Sequence, residues 1–117
     1  MPDYGQTITI RHLLNHTSGL RDWGSVAGLE GWPRTSRVHT HEHMLEIASR
    51  QQALNYPPGE RYSYTNTGYN LQAILVERVS GMPFAEFSQV RIFDRLGPES
   101  GRALFELFFW MFDKHRT

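Results

Sequence analysis

Apolar residues recur at helical spacing in four stretches of the chain, separated by turn-forming residues. Thr9 is a good N-cap, and Leu13 and Leu14 behind it predict a short helix over 10–15 with both leucines inward. Thr40 caps a second helix over 41–53, with Met44, Ile47 and Ala48 on one face and Glu42 near its positive end. Pro57-Pro58-Gly59 is a hard break. A third helix is expected over 67–80, capped by Asn66 or Thr67 and stopped by Gly81, with Leu71, Ile74, Leu75 and Val79 as its buried stripe. Pro83 suits a first helical position and opens a fourth over 83–94, with Phe84 and Phe87 inward. Residues 21–39 hold Gly24, Gly28, Gly31 and Pro33 and read as a long loop, packed down by Trp23 and Trp32. The pattern predicts a mainly α structure with little or no sheet.

The last twenty residues differ in character. Phe105, Phe108, Phe109, Trp110 and Phe112 crowd a stretch, 103–112, whose helix would be apolar nearly all round. Such a segment is expected to bury itself against something else, self-association included. It is too short for a bilayer, which takes about 20 residues.

Composition narrows the function. Twelve basic residues balance twelve acidic ones, which argues against nucleic acid as a partner. All the basic residues but Lys114 are arginine, and there is no cysteine. A disulfide scaffold, a thiolate metal site and a cysteine nucleophile are therefore excluded. Met1-Pro2-Asp3-Tyr4 lacks the basic start and apolar run of a secretory signal.

His39, His41 and His43 alternate like metal ligands, but alternate residues converge on a strand, and these lie at a helix start. No metal is expected there. His12 and His16, four apart, read as hydrogen-bonded structural histidines rather than a catalytic dyad. There is no Gly-x-Ser-x-Gly elbow and no phosphate-binding glycine loop. Tyr64-Thr65-Asn66 carries more chemistry. A phenol and an amide two residues apart on extended chain point to one side, one able to relay a proton and the other to donate and accept. Taken alone, the same tripeptide also fits a core tyrosine beside a helix cap.

Three ordered blocks resolve that choice by resemblance. Thr9-Ile10-Arg11-His12-Leu13-Leu14-Asn15-His16-Thr17-Ser18-Gly19-Leu20 resembles a hallmark of the serine β-lactamase and penicillin-binding-protein family, in the branch of class C β-lactamases, D-alanyl-D-alanine carboxypeptidases and related esterases. Asn55-Tyr56-Pro57-Pro58-Gly59-Glu60-Arg61-Tyr62-Ser63-Tyr64-Thr65-Asn66-Thr67-Gly68-Tyr69 resembles a second hallmark, and Ile92-Phe93-Asp94-Arg95-Leu96-Gly97 the end of a third. The resemblance implies a helical-subdomain fragment of an α+β fold over residues 1–97, followed by a divergent tail over 98–117.

It also implies an acyl-enzyme chemistry that needs no cofactor, on a small-molecule or peptide acyl substrate: a β-lactam, a D-alanyl peptide or an ester. Tyr64 takes the proton-relay role and Asn66 the substrate-positioning role. Thr65 stands where the family has serine or alanine. The family's Ser-x-x-Lys and Lys-Thr-Gly motifs occur nowhere in the chain. A free phenol ionises near pH ~10, so a phenolate at neutral pH needs neighbouring cations, and the motif lysines that would supply that charge are missing from this sequence. The isolated chain is therefore expected to be inactive. The family is often exported, which points to the periplasm or outside of the cell for a full-length parent. The competing reading is a non-catalytic helical module that binds a protein partner through 103–112.

Overall fold

The computed structural model describes residues 1–32 and 38–97. The helices are α1 (Ile10–Leu14), α2 (Trp23–Leu29), α3 (His41–Ser49), α4 (Asn66–Ser80), α5 (Phe84–Ser88) and α6 (Asp94–Leu96), with a π-helical turn over Gln89–Phe93 joining the last two. Among the described residues there is no strand. None of these helices is long and apolar enough to cross a membrane. The chain divides into two units, Met1–Leu75 and Val76–Thr117. The expectations for 98–117, including self-association through 103–112, lie outside the described residues.

In the first unit α1 and α3 begin alike. Thr9 Oγ1 accepts the His12 N–H at 3.1 Å, and His12 Nδ1 accepts the Thr9 N–H at 3.2 Å. Thr40 and His43 repeat the arrangement at 3.3 and 3.2 Å. These are capping boxes in which histidine takes the place usually held by glutamate or glutamine. Each reciprocal pair satisfies two backbone donors at a helix start.

The segment expected to be a loop contains α2. Gly24 and Gly28 each cost a helix roughly 1 kcal/mol relative to alanine, and that cost made the segment look broken. Two features outweigh it. Asp22 caps the first turn by accepting the Ser25 N–H, and Trp23 and Ala27, one turn apart, are both buried. They join Met44, Ile47 and Ala48 of α3 and Ile74 of α4 in one core, with Val26, Leu45 and Leu71 packed around it. Helix α3 stops at Ser49 rather than at 53. Beyond its Arg50 C-cap the chain turns at Gln51, whose carbonyl accepts from the Tyr4 hydroxyl and whose side chain accepts from Arg21.

The inward assignments need correcting where cover is lacking. Leu13 is buried but Leu14 is exposed. On α4 Ile74 is buried and Leu71 half-buried, whereas Leu75 is exposed and Val79 is 86% exposed. In the second unit the expected single helix over 83–94 is α5, the π-helical turn and α6, ending at Leu96. Pro83 sits at the N-cap rather than the first helical position, and Glu77 Oε1 accepts the Phe84 N–H at 3.0 Å. Phe84 is exposed and Phe87 half-buried, so neither is the core residue that periodicity suggests. Periodicity marks which face is apolar; it does not supply a surface to cover that face.

Candidate active site

The turn after α1 builds one wall of the site. The Thr17 N–H reaches His12 O at 2.9 Å and the His16 N–H reaches Leu13 O at 3.5 Å, the two bonds of a Schellman stop. That stop needs a left-handed residue, and His16 provides it at φ 56°, where glycine is the usual occupant. Three residues on, Gly19 has φ +78° and lies so close to the Tyr56 carbonyl that a Cβ would overlap it. The close approach lets residues 55–63 run past 16–19. The Asn55 N–H donates to Gly19 O at 2.8 Å, Gly59 to Thr17 O at 2.8 Å, and Ser63 to His16 O at 2.9 Å.

This path delivers Tyr64, Thr65 and Asn66 to the start of α4. Gly68 permits the fit, because its Cβ position is 3.1 Å from Leu13 O. The Tyr64 ring leans on the His16 imidazole at 4.5 Å between centroids. Tyr69 flanks the same imidazole at 5.0 Å and donates its hydroxyl to Leu14 O at 3.0 Å, while Tyr62 meets it edge-on at 5.8 Å. Tyr64 is 65% exposed. Its phenol thus stands in solvent with one ring face held.

Asn66 is half-buried and tied to Asp22. Asp22 Oδ1 accepts the Asn66 N–H at 2.8 Å and its Nδ2 at 3.3 Å, and the Thr65 hydroxyl donates to the same oxygen at 3.4 Å. Asp22 Oδ2 accepts the Ser25 N–H at 3.1 Å and the Ser25 hydroxyl at 3.2 Å. Partial burial pulls the Asp22 carboxyl upward. Hydrogen bonds from the Asn66 and Ser25 backbone, and then from their side chains, outweigh it and leave the carboxyl below its ordinary range. Thr65 is buried and also accepts the Thr67 N–H at 3.1 Å. Thr67, fully buried, donates to Arg21 O at 2.7 Å and accepts the Trp23 N–H at 2.9 Å. The Trp23 indole donates to Asn70 Oδ1 at 3.0 Å. The segment expected as a nearby loop is thus bonded directly to Asn66, through a helix start.

Other sequence candidates fall elsewhere. His12 Nδ1 is engaged in its capping box, so His12 and His16 serve separate structural purposes. His43 is engaged likewise, and His39 packs against Trp23 and Trp32 at 5.2 and 5.1 Å. Among the described residues no group of three His, Asp or Glu side chains is placed to hold a metal ion. A groove of about 440 Å³ is lined by Asp3, Tyr4, Asn55 and Tyr56, and one of about 230 Å³ by Ile8, Leu13, Leu20 and Leu71. Neither involves Tyr64 or Asn66. Sequence reasoning missed Asp22, and it read Thr67 as a helix cap where the structure has it bonded to Arg21 and Trp23. For Asp22 a signal existed: an Asp three residues before Ser25 is an N-cap pattern that the neighbouring glycines obscured.

Known proteins resemble this chain in sequence and in fold. Penicillin-binding protein 4* of Bacillus subtilis is 37% identical over 89 residues, 75% of this chain and 19% of that protein. A D-aminopeptidase of Gluconobacter oxydans is 34% identical over 88 residues, 75% of this chain and 17% of its own. Among solved structures, D-amino acid amidase from Ochrobactrum anthropi SV3 superposes with a TM-score of 0.62 at 28% identity, over 77% of this chain and 24% of the amidase. A D-stereospecific amidohydrolase from Streptomyces sp. gives 0.63 at 28% identity, over 76% and 28%. The chain therefore spans under a fifth of the length of these curated relatives and forms a helical part of their fold. The Beta-lactamase family model matches residues 2–100, and the chain belongs to that family.

Proposed function

We propose that this chain carries part of the acyl-transfer site of a serine hydrolase that cleaves small amide, peptide or ester substrates through an acyl-enzyme. The observation that carries the reading is the pairing at the head of α4. An exposed phenol, Tyr64, lies two residues from an amide, Asn66, that a carboxylate holds in place, in a chain of the β-lactamase family. The names of the relatives favour amide bonds beside D-amino acids within the substrate class.

In this reading Tyr64 Oη takes the proton of a serine hydroxyl as that oxygen attacks the substrate carbonyl. It does so as a phenolate and then passes the proton to the departing nitrogen or oxygen, so that the phenolate ends as it began. Asn66 orients the substrate amide. The motif serine and the motif lysines that would activate Tyr64 are not encoded here, because neither Ser-x-x-Lys nor Lys-Thr-Gly occurs in the sequence. The isolated chain is accordingly inactive.

Two measurements test this. The purified chain, incubated with a chromogenic β-lactam, a D-amino acid p-nitroanilide and a fluorophosphonate, should show neither turnover nor a mass adduct. A stoichiometric adduct abolished by Tyr64→Phe would reveal a nucleophile in this chain and overturn its inactivity. The DNA upstream of the Met1 codon should encode a Ser-x-x-Lys segment. In the protein that includes it, Tyr64→Phe should lower kcat by about 10²–10⁴-fold, and an unchanged kcat would remove Tyr64 from the chemistry.

A further inference from the structure

Asp22 stands between two helix starts. Its Oδ2 serves the first turn of α2 through Ser25, and its Oδ1 serves the first turn of α4 through Thr65 and Asn66. A cap for α2 alone needs only one of these oxygens. The second does something a cap does not require: it accepts the Asn66 side-chain Nδ2 as well as the backbone N–H.

Asparagine amides ordinarily leave open which end is nitrogen. Here a carboxylate settles it, because an ionised carboxylate only accepts. The Asn66 Nδ2 must therefore face Asp22, and its Oδ1 and second N–H are directed away from that carboxylate. From this geometry we infer that Asp22 is a positioning residue for Asn66, fixing which atoms of the amide are offered to a substrate. The inference rests on the reading of Asn66 as a substrate-binding group. Thr65 reinforces the lock by donating to the same oxygen, which an alanine there would not do. The other charged and titratable groups nearby are engaged elsewhere. Arg21 donates to Asn55 and Gln51, and His16 Nδ1 accepts the Thr65 N–H at 3.4 Å.

The test is spectroscopic and requires no turnover, so it can fail while the catalytic reading stands, and the reverse. The chain has four asparagines, Asn15, Asn55, Asn66 and Asn70. Asn55 and Asn70 engage their side-chain oxygens as acceptors from Arg21 and Trp23. In the full chain labelled with ¹⁵N-asparagine, the Asn66 side-chain NH₂ pair and backbone N–H should shift together on acidification, with one midpoint below the ordinary carboxylate range. In Asp22→Asn that joint shift should vanish while circular dichroism retains the helices. Ser25→Ala, which removes a bond to the opposite oxygen, should leave the Asn66 response in place. An Asn66 pair that ignores pH in the unmodified chain overturns the proposal without need of any variant. So does a response that persists in Asp22→Asn or disappears in Ser25→Ala.

Discussion

The first unit and the second differ in how deeply their described residues are buried. In Met1–Leu75, Trp23, Ala27, Met44, Ile47, Ala48 and Ile74 form a buried core. Polar ties reach across forty or more positions, from Asp22 to Asn66 and from Thr67 to Arg21. In the second unit no described residue is buried, and Glu77, for one, bonds to the Phe84 N–H only seven positions on. Both stretches have apolar residues at helical spacing. Among the described residues only those of the first unit form a buried core, and most helical stability in proteins comes from such packing. The site belongs to the region that can hold a side chain still.

The largest effect expected from breaking this contrast is at Gly19. Gly19→Ala adds a left-handed strain of about 1–2 kcal/mol and an overlap with the Tyr56 backbone that no side-chain rotation relieves. A loss of about 3 kcal/mol or more is expected in urea unfolding, together with loss of the Tyr64–His16 ring contact in nuclear magnetic resonance spectra. An alanine that leaves the midpoint in place would show that the 16–19 and 55–59 segments do not depend on close approach.

Next comes a matched pair. Met44 is 1% exposed in the core, and Met44→Ala should cost about 2–5 kcal/mol. Val79→Ala should fall within about 0.5 kcal/mol. Equal costs would mean that the α4 end is covered as well as the core is, erasing the difference between the two regions.

Acid sharpens the comparison differently. The folded Asp22 carboxyl lies below its unfolded value of 3.8, so its contribution to stability is fully present above that value. The contribution is lost as pH falls through the lower folded value. Thermal unfolding followed from neutral pH downward should show this acid limb in the native sequence and a weaker one in Asp22→Asn. Limbs of equal depth would remove Asp22 from the ties that hold the first unit.

The smallest effect is a gain. Gly28 lies within α2 with nothing within 4 Å of its Cβ position. Gly28→Ala should raise stability by about 0.5–1 kcal/mol, seen as a higher melting temperature.

Much of the local structure was legible in the chain. Thr9 and Thr40 mark their helices because a threonine hydroxyl meets an orphan backbone donor wherever the helix is placed. Gly81 with φ 70° ends α4 for a comparably local reason. The motif blocks carry the resemblance to the family, and with it Tyr64 and Asn66 as candidate site residues. Helix α2 was not legible, because its glycines argue against it locally and the burial of Trp23 and Ala27 against α3 argues for it only in three dimensions.

The sequence alone determined the starts of α1 and α3, the turn residues, the family motifs and the absence of a Ser-x-x-Lys motif. Each depends on chemistry carried within a few residues. Tertiary structure decided which apolar faces are covered: Ile74 is buried and Val79 is not, although both fit one stripe. It also decided that Asp22, 44 positions before Asn66, holds that amide by its nitrogen. Burial and long-range hydrogen bonding depend on which surfaces meet, and periodicity along the chain carries no information about what lies opposite.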